Sequence, residues 1–170
     1  TPTVAAPSRR AALILWAGAV SSAVGTYLAA RWGPKSAPTR IVVVDSLREP
    51  GLEHCGLPSV ANSAQSTIKL TDDFIRVRRA GEMAFINGVL KFLVLAERID
   101  QPFVEKHTRG FSELKTAIAK QSWDMLEERS GVTREVMQRF AETYSRARTA
   151  VFVYSLGLAQ HEFAADTVNA

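Results

Sequence analysis

The stretch Ile41-Val42-Val43-Val44-Asp45 constrains the fold of this chain more than any other. Four β-branched aliphatic residues in succession leave no polar face, which is the composition of a strand covered on both sides in a parallel sheet. Asp45 ends the run. Parallel strands need crossover segments between them, and three further stretches can supply the partners. Leu13 to Ala17 is apolar and stops at a turn around Gly18. Phe74 to Arg78 alternates, with Ile75 and Val77 on one face and Arg76 and Arg78 on the other. From Ala150 the run AVFVY reads as a last buried strand, broken at Gly157 and followed by Gln160 and His161. Open α/β sheets bind ligands at the carboxyl ends of their strands, so Gly157, Gln160 and His161 are candidate ligand contacts.

Helices fill the intervals. Ser22 to Arg31 reads as a helix, broken by Gly33, Pro34 and Pro38. Gly81 and Glu82 open a long helix in which Met83, Ile86, Leu90, Leu93 and Val94 recur at helical spacing as a core stripe. Asp100 and Pro102 start a short helix that stops near Gly110, while Ser122 and Thr133 are caps for two more. Met137, Phe140, Ala141, Tyr144 and Ala147 give the last of these an apolar face. Residues 47–71 read as a long surface loop. The expected fold class is α/β: an open, Rossmann-like parallel sheet of about four strands with a helical insertion before the last one.

Composition fits a single domain. With 170 residues, 46% hydrophobic and 22% charged, the chain suits an N-terminal extension or linker at 1–10 and one domain at 11–170. Residues 11–30 carry no charge and are long enough to span a bilayer. Their glycines, serines and alanines are only mildly apolar, and IVVVD follows closely, so strand, turn and helix is the preferred reading and membrane association is expected only through partners. Residues 1–44 contain no Asp or Glu, as in the remnant of an organellar transit segment or in a linker; the expected compartment is cytoplasmic or mitochondrial matrix. The net charge of +4 is spread along the chain, without the basic block or aromatic ladder of a nucleic-acid binder. Cys55 is the only cysteine, which excludes an internal disulfide and a cysteine-ligated iron–sulfur cluster built from this chain alone. His54 precedes it without further ligands at metal spacing, so no metal residues are assigned.

No catalytic residues are assigned either. His54, His107 and His161 are far apart, and neither G-x-S-x-G nor a Walker sequence occurs. The signals point to binding. An acid ending the second strand of a dinucleotide fold accepts ribose hydroxyls, which is one reading of Asp45; the other is a turn in which its side chain bonds nearby backbone amides. No G-x-G-x-x-G follows the first strand. Arg48 has the fork to hold a phosphate or a neighbouring carboxylate. Gly81, at a helix start, permits close backbone approach to an anion.

In order along the chain, LILWAGA (13–19), IVVVDSLREPGL (41–52), FIRVRRAGEMAFINGVLKFL (74–93), FVEKHTRGFSELK (103–115), SGVTREVMQRFAETY (130–144) and VFVYSLGLAQHEFAADTV (151–168) resemble the catalytic subunit of molybdopterin oxidoreductases of the formate dehydrogenase type, in the dimethyl sulfoxide reductase superfamily. The resemblance implies a domain that cradles one guanosine end of a bis(molybdopterin guanine dinucleotide) cofactor. By that similarity Gly18 lies in the phosphate turn, Asp45 and Arg48 in the ribose and guanine region, and Gly81 and Glu82 at the guanine-facing helix start. Gly157, Gln160 and His161 approach the pterin or diphosphate. The sequence departs from the family where Val20-Ser21 replaces a usual Asn-Pro, Ser46 a Pro, Ala80 a Gly, Glu82 an Asp and Ala159 a Thr. It contains no counterpart of the family's iron–sulfur region, molybdenum-ligand segment or C-terminal pterin domain, so no molybdenum reaction is expected from it alone. Expected partners are the remainder of a molybdoenzyme catalytic subunit or other subunits of a larger complex. Two functions of different class follow: a fragment or subunit of a formate dehydrogenase-like molybdoenzyme that binds the guanosine and diphosphate part of the cofactor, or a degenerate, non-catalytic scaffold domain in a larger respiratory or organellar assembly, with the same fold and no pterin.

Overall fold

A computed structural model describes residues 12–16, 39–48, 53–56, 67–69, 71–154 and 164–169. The architecture is mixed α/β. Strands β1 (Ala12–Trp16), β2 (Arg40–Asp45), β5 (Asp73–Arg76) and β6 (Ala150–Val153) form one sheet in the order β5-β2-β1-β6. Every pairing in it is parallel, with Ile14 opposite Val42 and Phe152, and Val44 opposite Ile75. The extended backbone of β1 lies within the uncharged stretch 11–30, and among the described residues no helix is long and apolar enough to cross a membrane.

Strand β2 is buried from Ile41 to Asp45, as its uninterrupted apolar run requires. Val42 and Val44 join the main core with Ile75, Val77, Phe85, Leu126, Met137 and Phe140. Strand β5 ends at Arg76, two residues short of the expected Phe74 to Arg78, but the expected alternation continues past it, with Ile75 and Val77 buried and Arg76 and Arg78 exposed.

Two expectations about strands are corrected. The interval 47–71 is not wholly a loop, because β3 (His54–Gly56) and β4 (Thr67–Lys69) pair antiparallel across it. Three-residue strands are too short to carry a readable alternation. The last strand is not buried: Val151 is 54% and Phe152 47% exposed. Sheet order explains this, since β6 flanks β1 at an edge, and an apolar strand composition says nothing about position in the sheet.

Between β5 and β6 run α1 (Glu82–Leu95), α2 (Gln101–His107), α3 (Phe111–Lys120), α4 (Trp123–Ser130) and α5 (Arg134–Ser145); α6 (Ala164–Asn169) follows β6. The expected stripe on α1 is shifted. Leu93 and Val94 are buried, but Met83, Ile86 and Leu90 are only partly so, and the innermost positions are Phe85, Gly88 and Val89. Helix α1 packs against α4 and α5, so its apolar residues surround much of its circumference and no single stripe stands out. At Gly88 an added Cβ would meet the Sδ of fully buried Met137 on α5. The glycine sets how closely the two helices cross.

Helix ends follow local chemistry. Asp100 caps α2 through its carboxylate, which accepts from the Phe103 amide at 3.0 Å, and the Ser122 hydroxyl accepts from the Met125 amide at 3.2 Å to cap α4. Thr133 occupies the cap position of α5 but makes no side-chain capping bond to the backbone. Instead the Glu127 carboxylate accepts from the Arg134 amide at 2.5 Å. Buried Lys91 donates from Nζ to the Ala119 carbonyl at 3.1 Å and also to the Gln121 carbonyl, and lies 5.4 Å from the centre of the Trp123 ring. A cation there complements the carbonyl end of α3.

Helix α1 ends in a Schellman turn. The Arg98 amide donates to the Leu93 carbonyl at 2.9 Å and the Glu97 amide to the Val94 carbonyl at 3.3 Å. Glu97 sits at φ +52, where glycine is favoured. Glu97→Gly is expected to stabilise the fold by about 1 kcal/mol, read as a higher urea midpoint at unchanged m-value.

Candidate functional site

Because β1, β2, β5 and β6 are parallel, their carboxyl ends share one edge of the sheet. The chain adds β2 and then β5 on one side of β1, whereas β6 joins on the other. The strand order therefore reverses at β1, the kind of position at which open α/β sheets bind ligands. Gly18, Gly157, Gln160 and His161 belong to the segments that follow β1 and β6; all four lie outside the described residues.

Asp45 ends β2 at this edge, one strand from the reversal, and is 7% exposed. Its backbone carbonyl accepts from the Val77 amide at 2.9 Å, which extends the β2–β5 pairing. Its Oδ1 accepts from the Leu47 amide at 3.0 Å. The carboxylate thus makes the turn that its position before Ser46 suggests. A carboxylate offers about four lone-pair sites, so one turn bond does not exhaust it.

Arg48 lies beyond that turn and is exposed. Its Nε and Nη2 donate to Glu53 Oε1 at 2.8 and 2.6 Å, and its guanidinium lies 5.7 Å from the centre of the Phe74 ring. The hydrogen bond to Glu53, reinforced by the Glu53 charge, raises the Arg48 pKa above its ordinary value. Of the two roles its sequence position allows, the neighbouring carboxylate is the one present. Sequence reasoning missed Glu53 as its partner, because a separation of five residues matches no regular period.

Gly81 and Glu82 start α1, as expected. Gly81 is the cap residue with φ −95, so its backbone conformation is open to any residue. A Cβ there would come within 2.6 Å of the Arg129 carbonyl oxygen and 2.9 Å of Ser130 Cα. The close approach that this glycine permits is to the end of α4. Its amide donates to the Arg78 carbonyl at 2.8 Å, and the Arg78 amide donates to the Ser130 carbonyl at 2.6 Å. Glu82 is buried, 8% exposed. Ala80, just before Gly81, holds φ +60, a left-handed conformation that favours glycine.

Two other contacts involve residues outside the assigned set. Arg76 Nε donates to the Ser46 carbonyl at 3.2 Å, which ties the end of β5 to the turn after β2. His107 packs against Phe103, with ring centres 4.9 Å apart and planes tilted by 38°, in the last turn of α2. Among the described residues no group of three or more His, Cys, Asp or Glu is arranged to hold a metal ion.

No family model matches the sequence. The chain is 26% identical over 142 residues to Protein YdeP of Escherichia coli (strain K12), covering 76% of this chain and 19% of that protein. An uncharacterized oxidoreductase of Mycobacterium tuberculosis (strain ATCC 25618 / H37Rv) is 27% identical over 142 residues, covering 79% of this chain and 18% of its own length. The F420-dependent formate dehydrogenase 2 subunit alpha of Methanococcus maripaludis is 26% identical over 103 residues, which is 61% of this chain and 15% of that subunit. Its distant homologues include oxidoreductases. Among solved structures, acetylene hydratase from Pelobacter acetylenicus superposes with a TM-score of 0.71 at 17% sequence identity, covering 92% of this chain and 20% of that enzyme. The fold is shared with a part of that enzyme. This chain spans about a fifth of the length of the curated relatives it matches.

Proposed function

We propose that this chain is the guanosine-side domain of a formate dehydrogenase-like molybdopterin oxidoreductase, taking the guanosine and diphosphate part of a molybdopterin guanine dinucleotide along the carboxyl edge of its sheet. The observation that carries the reading is Asp45, a carboxylate at the end of the strand next to the reversal in strand order. The order β5-β2-β1-β6 matches 3-2-1-4 in a doubly wound nucleotide fold, where an acid in the region of the second strand bonds the ribose. The distant likeness to a formate dehydrogenase alpha subunit supports the choice of cofactor class.

The described residues fit the ribose part of such a group. With Oδ1 already accepting from Leu47, Asp45 retains acceptor sites for a ribose hydroxyl. Its turn bond fixes the carboxylate before a ligand arrives, which lowers the ordering cost of binding. The helix start contributes differently: the Gly81 amide is committed to Arg78, so any donor to a phosphate comes from another amide. When bound, the pterin supplies redox chemistry through its metal; this chain's part is to hold the nucleotide end in place.

Asp45→Asn tests the role. It keeps a side-chain oxygen for the Leu47 amide and removes the negative charge. The expected result is guanosine diphosphate binding weakened about tenfold, the worth of one charge-assisted hydrogen bond, with the melting temperature nearly unchanged. Equal binding by the variant and the parent chain would remove Asp45 from the ribose site.

A second reading, a scaffold domain of the same fold without pterin, is favoured by a specific observation. Arg48 and the Gly81 amide, both assigned to the ligand by resemblance, already have partners inside the chain. On that reading guanosine diphosphate shows no saturable binding to either form.

A further inference from the structure

The two edges of the parallel sheet differ in character. At one edge β5 carries charge: Arg139 of α5 pairs with Asp73 at 3.3 Å, and Arg76 is exposed. Charged side chains on an edge strand discourage further pairing. At the other edge β6 and the residue after it, Ala150 to Tyr154, hold no charge. Among the described residues no strand pairs with the outer side of β6, and the outward N–H and C=O groups of such an edge are a template for another strand.

Val151, Phe152 and Tyr154 are each about half exposed. Successive residues of a strand point to opposite faces. The Phe152 ring lies 5.8 Å from that of exposed Tyr144 on α5, which puts Phe152 on the α5 face and Val151 on the other. A helix laid over one face would cover only one of them. A strand added along the edge sets side chains beside both, so an extended strand is the occupant that fits.

We propose that the outer edge of β6 pairs antiparallel with β6 of a second copy of this chain. Val151-Phe152-Val153 reads the same in both directions, which suits a two-fold contact, where one surface must complement itself. With the axis at Phe152, Phe152 stands opposite Phe152, Val151 opposite Val153, and small Ala150 opposite large Tyr154. Cross-strand aromatic and β-branched pairs stabilise a sheet, and like charges directly opposite destabilise it; this stretch brings no charges together. An axis at Val151 would carry the pairing into Thr149 and Arg148, where the chain bends, whereas from Val153 to Tyr154 it runs on without a bend. With the axis at Phe152, the Tyr144–Phe152 pair of each copy meets its counterpart on the α5 face. The pairing does not use Asp45 and stands whether or not a nucleotide binds.

The test is sedimentation equilibrium of the 170-residue chain over a wide range of concentration. The paired stretch is far shorter than the about 20–30 residues a side of a standard interface, so the expected result is a reversible monomer–dimer equilibrium. Phe152→Lys sets two like charges opposite each other on the axis and is expected to raise the dissociation constant about tenfold or more. Leu114→Lys adds the same charge at an exposed position on α3 and is expected to change it less than about twofold. A chain that stays monomeric at every concentration would overturn the proposal and leave the edge to a strand of a different protein. Equal weakening by the two variants, or species larger than a dimer, would overturn it as well. If Phe152→Lys loses its fold by circular dichroism, hydrogen exchange of the parent chain decides. The β6 amides are then expected to exchange more slowly as concentration rises while those of β5 do not change, and β6 exchange that is independent of concentration overturns the proposal.

Discussion

Replacing Phe85 with alanine is expected to cost about 3–5 kcal/mol of stability, among the largest effects of any single truncation in a core of this kind. The ring is fully buried at the centre of the core on α1. It meets Phe140 of α5 edge to face, with ring centres 5.2 Å apart and planes at 67°, so the change removes an aromatic pair as well as volume. Urea unfolding of the parent and the variant reads the loss as a lowered midpoint. A double-mutant cycle with Phe140→Ala is expected to return a coupling of about 0.5–1.5 kcal/mol; no coupling would mean that the two rings do not pack as described.

Gly81→Ala is the second large effect. Its φ of −95 accommodates alanine, so the penalty is steric: the new methyl group meets backbone atoms of Arg78, Arg129 and Ser130. Backbone cannot swing aside as a side-chain tip can. The expected loss is about 3 kcal/mol, the upper end for overpacking, seen in the ligand-free chain. The measurement separates two reasons for the glycine. If it served only approach of a ligand, the ligand-free stability would be unchanged; if it seats α1 against the end of α4, stability falls before any ligand is added. Ala80→Gly, one residue earlier, is expected to act oppositely, since it relieves a left-handed alanine at about 1 kcal/mol.

The same contrast shows what was legible in the sequence. Strand β2 was readable because its apolar run allows no wet face, and Ile75 and Val77 were readable because alternation with arginines marks the buried side. Position within the sheet was not: AVFV reads as a core strand, yet β6 lies at an edge because strand order is a tertiary choice. The α1 stripe was misread by a residue or two since α4 and α5 bury it from more than one direction. At the candidate site, Asp45 was legible in both its roles, as a strand-ending acid and as a turn former, and the turn bond is present. Gly81 was legible as special but not for what, because a glycine that admits a ligand and one that admits another backbone are the same letter. Arg48 was legible as a cation seeking an anion; which anion depended on the fold around Glu53.

The Asp45 and Gly81 observations pull in different directions, one leaving acceptor sites on a carboxylate for a ligand and the other using the helix start for packing. The most direct test of the central claim is metal and pterin analysis of the natively purified assembly that contains this chain. The account predicts molybdenum or tungsten together with a pterin that releases guanine nucleotide on hydrolysis, at an amount matching the chain. An assembly with the chain fully present and no molybdenum, tungsten or pterin would contradict it and leave the fold as scaffold.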